Sequence, residues 1–494
     1  LQKLSFKIAL TRFFTNYGML LVLILLGLLF SILTIRDQYP IGKDAARSLA
    51  KSLAAYPYDY GILIICRDTE DDSLFAVSLE KRLSESGFQA IKIVSGEPVE
   101  IRRQIDELSD SAKVTLIATS VSSAPVAFAI KNEIPRFAGT AVISPPPYRW
   151  PTFLLPDNLR NVANQIVVIA IIAIGMTLVI ITAGIDLSVG SLIALSAVVT
   201  AWFVGRIGGE NATFWGMFIS GLMGIGLCGL VGAFSGLMVT QFKIPPFIAT
   251  LAMMQVAAGF AYVISAGKPI YQLPDSFILL GRGAEPLLKI PYAVLLMLIL
   301  YIAAHILMTR TTTGRYIYAV GGNMEAARLA GIRVKRILFF VYTLCGLLAG
   351  LGGVVMASQL KSGAPTYGLT YELYVIAAVV VGGTSLMGGE GKIFGTLIGA
   401  FIIAVIQNGM NLTNVETYTQ KIVLGAVILG AVLLDRLKQR GLGKSVGFRV
   451  SFSEREPRQR GMSGFSLGPG DLVRNQTYMS TKRHRNSLNQ RTCK

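Results

Sequence analysis

The chain has 494 residues, 52% of them hydrophobic and only 15% charged, with 51 glycines and a net charge of +18. An average soluble domain carries about 25% charged residues, so a soluble enzyme of this size and a disordered scaffold are both excluded, and the bulk of the chain is expected in lipid. The basic excess is concentrated in residues 435–494, with 14 Lys and Arg against 4 Asp and Glu, which fits charge-biased topology and a solvated tail and gives no support to nucleic-acid binding.

Crossing the hydrocarbon core takes about 20 apolar residues. The first such segment, 17–35, follows Lys3, Lys7 and Arg12 and reads as an anchor, residues 1–35. A cleaved signal peptide is the alternative. The stretch Thr34-Ile35-Arg36-Asp37-Gln38 offers it no small-x-small site, and cleavage would break the charge bias of the body.

Residues 36–150 form a polar block with an α/β pattern. A buried strand is expected at 61–66, a helix at 72–86 stopped by Gly87, then a strand at 90–94 and a helix at 98–108. A strand at 114–118, a helix at 124–131 and a strand at 139–143 complete it. Alternation of this kind implies a parallel, doubly wound sheet. Pro145-Pro146-Pro147 predicts a stiff, extended return.

The apolar body, 151–434, supplies nine more segments: 160–183, 189–206, 213–240, 246–265, 290–309, 337–357, 372–388, 393–410 and 418–434. Of these, 372–388 and 393–410 are short and glycine-rich, and one of them fits a broken helix. With the N-terminus inside, ten crossings return the C-terminus inside as well. The connection 310–336, with Arg310, Arg315, Arg328, Arg333, Lys335 and Arg336, then faces the cytoplasm, and 36–150 lies outside. The tail, 435–494, is polar and basic, and is expected to stay disordered.

Four scattered cysteines and two histidines support no disulfide framework, no metal site and no general-base chemistry. His305 in its apolar run reads as a packed residue. Nucleotide signatures fail on context. Gly224, Gly226 and Gly229 fit a dinucleotide fingerprint but lie in an apolar segment with no preceding strand. Gly391-Lys392 lacks the following hydroxyl of a phosphate loop. The glycine pairs Gly346/Gly350 and Gly395/Gly399 have the spacing that lets helices meet closely in lipid.

Asp186 is a carboxylate at a segment end, costly unless paired or wet and so a functional candidate. Capping of the next helix by Asp186 or Ser188 explains it equally well. Gln255, Glu372, Gln407 and Asn408 are candidates to line a polar pathway, or to satisfy neighbouring backbone.

Three stretches carry a family resemblance. They are 175–191, containing Gly184-Ile185-Asp186-Leu187-Ser188-Val189-Gly190; 244–251, beginning Ile244-Pro245-Pro246-Phe247; and 313–331, containing Gly321-Gly322-Asn323 and Glu325-Ala326-Ala327-Arg328 before Gly331. With Val381-Gly382-Gly383-Thr384-Ser385 they resemble the permease subunits of ribose/xylose/galactose-type ABC sugar importers over about 155–434. The resemblance implies an all-α polytopic fold of the type II importer kind, with about ten transmembrane helices. It also implies a non-catalytic role without cofactor or metal in the bacterial inner membrane. The implied partners are a cytoplasmic ABC ATPase, a periplasmic sugar-binding protein and a second permease subunit, identical or not.

In this resemblance Gly321, Gly322, Asn323, Glu325, Ala326, Ala327, Arg328 and Gly331 form the loop that couples to the ATPase. Import of branched-chain amino acids or nucleosides by the same architecture is the alternative. A membrane-anchored ligand-sensing receptor is an alternative of another class, and a membrane enzyme a third. The block 36–150 departs from the family pattern. Its stretches 83–88 and 123–128 resemble the first lobe of a periplasmic sugar-binding protein, which implies an α/β domain inserted after the first helix to dock or gate a separate binding protein, or one that is decorative.

Overall fold

The computed structural model describes the backbone of residues 2–446 except 58–60, 89 and 109–113, and the side chains of 18–433 outside 58–60, 89–91 and 109–113. Helix α1 (Gln2–Leu33) leads into β1 (Ile35–Gln38). An alternation follows: α2 (Gly42–Leu53), β2 (Ile62–Cys66), α3 (Glu70–Glu85), β3 (Ala90–Ser95), α4 (Pro98–Asp106), β4 (Leu116–Thr119), α5 (Ala124–Glu133), β5 (Ala141–Ile143) and then β6 (Tyr148–Pro151).

Strands β3-β2-β4-β5 form one four-stranded sheet in that order, every pair parallel. The central strand β2 is buried along its whole length, as expected for a parallel sheet covered on both faces. Side chains alternate across it. Ile62, Ile64 and Cys66 meet Leu49 of α2 and Phe75 and Leu79 of α3, while Leu63 and Ile65 meet Ile101 of α4 and Ile130 of α5.

Strands β1 and β6 pair antiparallel, Ile35 opposite Pro151 and Gln38 opposite Tyr148, so the two ends of the α/β segment leave through one ribbon. Its polar residues give no strand periodicity, which is why it escapes sequence reading. The ribbon is tied down at its base. Thr34 Oγ1 accepts from the Phe153 amide at 3.1 Å, Gln38 Nε2 donates to Thr152 Oγ1 at 2.9 Å, and Arg36 donates to the Leu412 carbonyl at 3.2 Å.

The body comprises α6 (Pro156–Ile181), α7 (Val189–Ile207), α8 (Phe214–Thr240), α9 (Pro246–Ile264), the short α10 (Leu279–Arg282), α11 (Tyr292–Arg310), α12 (Thr312–Gly322), α13 (Met324–Leu329), α14 (Val334–Leu360), α15 (Tyr371–Val381), α16 (Ile393–Leu412) and α17 (Thr417–Val446). Among the described residues seven of these helices are long and apolar enough to cross a membrane: α6, α7, α8, α9, α11, α14 and α16. Shorter apolar stretches at Gly18–Leu33, Tyr371–Val381 and Thr417–Leu433 stand where three further segments were expected. The expected segment 372–388 is corrected. Its helix stops at Val381, where Gly382 and Gly383 (φ 89°) turn the chain into the loop 383–392. The final helix runs past 434 to Val446, and the remainder of the expected tail, 447–494, lies outside the described residues.

The most apolar stretch of α6 is 89% buried, against 22% for α9, so α6 is the axis around which the body packs. Helix α14 lies against α6, α7 and α8. It approaches α8 backbone to backbone: a Cβ added at Gly346 would stand 3.0 Å from Gly232 Cα, and one at Gly350 would stand 2.8 Å from Ile225 Cα. Gly395 and Gly399 likewise pack on Gly382. Both glycine pairs are spent on contacts within this chain, the association mode expected where lipid supplies no hydrophobic drive.

Candidate functional site

The chain between α6 and α7 is a tight turn, buried at Thr182, Gly184, Asp186 and Ser188. Gly184 N donates to the Val179 carbonyl at 3.0 Å, and Ala183 takes a φ of 60° to close it. Asp186 is fully buried. Its Oδ1 accepts from Ser188 N at 2.9 Å and Ser188 Oγ at 2.6 Å, so it holds the residue that caps α7. Burial pushes its carboxyl above the ordinary carboxylate range, opposed by the bonds from Ser188 and by the Cys345 thiol.

Asp186 Oδ2 and the hydroxyl of Tyr342 on α14 both lack a hydrogen-bond partner of good geometry. Tyr342 Oη lies against Gly184, where no side chain fits. From α9, Thr250 Oγ1 braces the turn by accepting from Leu187 N at 3.2 Å, while its single proton is divided between the Pro246 carbonyl of its own helix at 2.9 Å and the Ile185 carbonyl at 3.2 Å.

Directly beyond the turn, the first residues of α7 line a cavity of about 260 Å³ together with α9 and the segment 365–372. Its polar lining comes from Ser191, Gln255, Tyr262, Tyr367, Thr370 and Glu372. Gly190 is obligatory there, because a Cβ would strike the Glu372 carboxylate and stand 2.6 Å from the Gly368 carbonyl. Thr370 holds a φ of 67°, a costly conformation for a β-branched residue and one that concentrates at working sites. A half-length helix, α15, begins at this cavity, and interrupted helices at membrane depth commonly mark where solute is handled. A larger groove of about 530 Å³ between α8, α10 and α14 is lined almost wholly by apolar side chains such as Phe218, Leu222 and Leu280; it has no chemistry to orient a polar solute.

A second cluster lies against the start of this turn, at the C-terminal end of α6. Gly321, near the end of α12, packs on the Ile181 carbonyl, which also accepts from Gly389 N at 2.8 Å. Asn323 Oδ1 accepts from Ala326 N at 2.9 Å and caps the six-residue α13. Gly331, at φ 82°, closes it, with Gly331 N bonded to the Arg328 carbonyl and Ile332 N to the Ala327 carbonyl, the paired bonds of a Schellman stop. Only Ala327 points inward, onto Val320 and Leu338. Met324 and Ala326 are exposed, Leu329 is 84% exposed, and Glu325 and Arg328 pair at 2.7 Å in full view of solvent. The result is a small knob with an apolar tip and a charged collar.

The sequence-derived candidates therefore separate. Gln255 and Glu372 share the cavity, while Asp186 and Ser188 lie beneath its α7 wall. Asn408 is elsewhere, exchanging bonds of 3.1 and 2.9 Å with Asn158 at the head of α6, and Gln407 is half-buried beside it on α16. Sequence reasoning missed Thr250, Tyr342, Gly190 and Gly389. Gly190 and Thr250 stand inside the motifs already singled out, but nothing in a sequence says what a glycine or threonine will touch.

In the α/β segment the strand order reverses between β2 and β4, the usual place for a ligand in such sheets. Asp72 occupies it, accepting from Ser122 Oγ at 2.9 and 2.8 Å, Ser123 Oγ at 3.0 Å and Arg67 N at 3.4 Å. Those bonds staple the loops to one another.

Residues 158–432 match the family model described as branched-chain amino acid transport system / permease component. This chain belongs to that family. The match spans the turn, the cavity and the knob, and leaves 36–150 outside it. Among relatives of the permease family, the ribose import permease of Escherichia coli (strain K12) is 46% identical over 293 residues, covering 58% of this chain and 88% of that one. The ribose import permease of Bacillus subtilis (strain 168) is 43% identical over 297 residues, 58% and 87% of the two chains. The D-allose transport system permease of E. coli K12 is 39% identical over 285 residues, 58% and 85%. No solved structure matches. Family membership and the seven apolar helices make this a multi-pass inner-membrane protein.

Proposed function

We propose that this chain is the non-catalytic permease subunit of an ATP-binding-cassette importer that carries a monosaccharide of the ribose, allose or arabinose kind across the inner membrane. The observation that carries this reading is the 46% identity with a ribose import permease over 88% of that protein's length. The geometry supports it. A small polar cavity lies in an apolar body, and a rigid knob stands apart from it.

In this reading the chain crosses ten times, both termini are cytoplasmic, and α13 with its charged collar seats in a partner ATPase that performs all hydrolysis. Gln255 is exposed on α9. A polar side chain facing lipid is costly, so a second permease subunit covers it and closes the pathway, with Glu372 and Gln255 meeting the solute's hydroxyls. The segment 36–150 stands on the periplasmic side, where a soluble sugar-binding protein docks.

The test is uptake of labelled ribose, D-allose and L-arabinose into vesicles holding the complex purified with its ATPase. ATP-dependent accumulation of any of them supports the reading. Accumulation of labelled leucine with none of the sugars would replace it with the amino-acid reading that the family description favours.

A further inference from the structure

We propose that the Thr182–Ser188 turn, knotted by Asp186, is the mechanical link that carries displacement of α12 and α13 to the cavity wall at Gly190. The inference rests on the importer reading and assigns Asp186 a positioning role within it.

At its lower end the link is backbone on backbone. Gly321 packs on the Ile181 carbonyl, Gly389 N bonds to the same oxygen, and a Cβ at Gly388 would stand 2.9 Å from Ala183 Cβ. With no flexible side chain interposed, a shift of the α12 end moves the main chain of the turn directly. The turn is stiff, because Asp186 Oδ1 holds Ser188 by two bonds and Thr250 Oγ1 accepts from Leu187 N. At its upper end Ser188 opens α7, and the second residue of that helix, Gly190, lies against the Glu372 carboxylate and the Gly368 carbonyl. A tilt of the turn therefore changes the cavity at once.

The turn also has somewhere to go. Tyr342 Oη is buried without a partner against Gly184, two residues from Asp186, and Asp186 Oδ2 has no partner of good geometry beyond the weak Cys345 thiol. Two such poorly satisfied groups are expensive. A rotation that joins them recovers a bond, which supplies a second discrete arrangement of the kind a switching element requires.

The test uses the full chain with its ATPase in lipid nanodiscs, carrying Cys493→Ser and Ser191→Cys. Cys66, Cys228 and Cys345 are buried, and burial with the Asp72 and Asp68 charges pushes the Cys66 thiol up to about 11, so the cavity thiol reacts alone with a methanethiosulfonate reagent. Labelling rates are compared without nucleotide and with ATP plus vanadate, and ATP hydrolysis is followed in parallel. In the otherwise native chain the two rates should differ by about fivefold or more, the lower range of ordinary coupling. Asp186→Asn should remove most of that difference while hydrolysis continues.

A native chain whose labelling ignores nucleotide overturns the proposal. So does an Asp186→Asn chain that keeps the full difference, or one that loses it only in step with hydrolysis. If Asp186→Asn does not assemble, Tyr342→Phe decides: it deletes one unpartnered oxygen, and an unchanged nucleotide effect overturns the proposal. Sugar uptake does not enter this readout, so failure of the importer reading registers separately, as absence of transport by the native complex.

Discussion

Asn158 and Asn408 exchange two hydrogen bonds, and Asn158 also donates to the Phe153 carbonyl at 2.9 Å. Asn408 is buried on α16 and Asn158 half-buried at the head of α6, so each satisfies a group that burial would otherwise penalise. Asn408→Leu removes one partner and strands the other, which should cost roughly 1–3 kcal/mol and lower the melting temperature of the detergent-purified protein. The exposed pair Arg102–Glu133 in the α/β segment is the contrast: Glu133→Gln should change stability by less than about 1 kcal/mol in urea titration. Both pairs look alike on a list of polar contacts; burial makes one matter and water makes the other negligible. Asn408 was legible in the sequence as a polar residue in an apolar run, but its partner, 250 positions away, was not.

At the scale of the element, α13 is held by its ends and not by its length, since six residues make a helix too short to persist alone. The Asn323 cap and the Gly331 stop define it, and Ala327 pins it to α14. Gly331→Val forces a β-branched residue into the left-handed region, costing about 1–2 kcal/mol, and should abolish solute-stimulated ATP hydrolysis by the complex while the chain still inserts into membranes. Leu329→Asp places a charge on an exposed apolar tip where nothing in this chain is disturbed. It should cut recovery of the ATPase on the affinity-purified permease about tenfold, a loss of about 1.4 kcal/mol. Glu325→Lys should act on the same step. The motif around Glu325 and Gly331 marked this element from the sequence alone. Its apolar tip was not foreseen, because Leu329 has the pattern of a core residue and only the position of the knob leaves it bare.

For the whole molecule, the ribbon of β1 and β6 decides how the α/β segment is carried. Gln38 and Tyr148 stand opposite one another at the open end of an antiparallel pair, a geometry that a two-residue Asn-Gly turn closes naturally. Replacing 39–147 by Asn-Gly should therefore leave a plain hairpin, with the permease body inserted at native yield, checked by membrane fractionation and melting of the purified protein. If the segment receives a sugar-binding protein, the same variant should lose uptake while keeping its yield; full uptake would remove that docking role.

The sequence by itself determined that this chain lives in a membrane, where most of its helices fall, that an α/β block interrupts the series, and which short stretches belong to an importer permease. These features are written locally, in runs of apolar residues and in motifs a few residues long. Tertiary structure alone decided that α15, of the two glycine-rich segments, is the one cut short at Gly382, that Gln255 and Glu372 line one cavity while Asn408 is engaged elsewhere, and that a carbonyl at Ile181 joins the knob to the turn. Those are distances between residues far apart in the chain. They are set by which backbones can approach closely, and no local pattern encodes them.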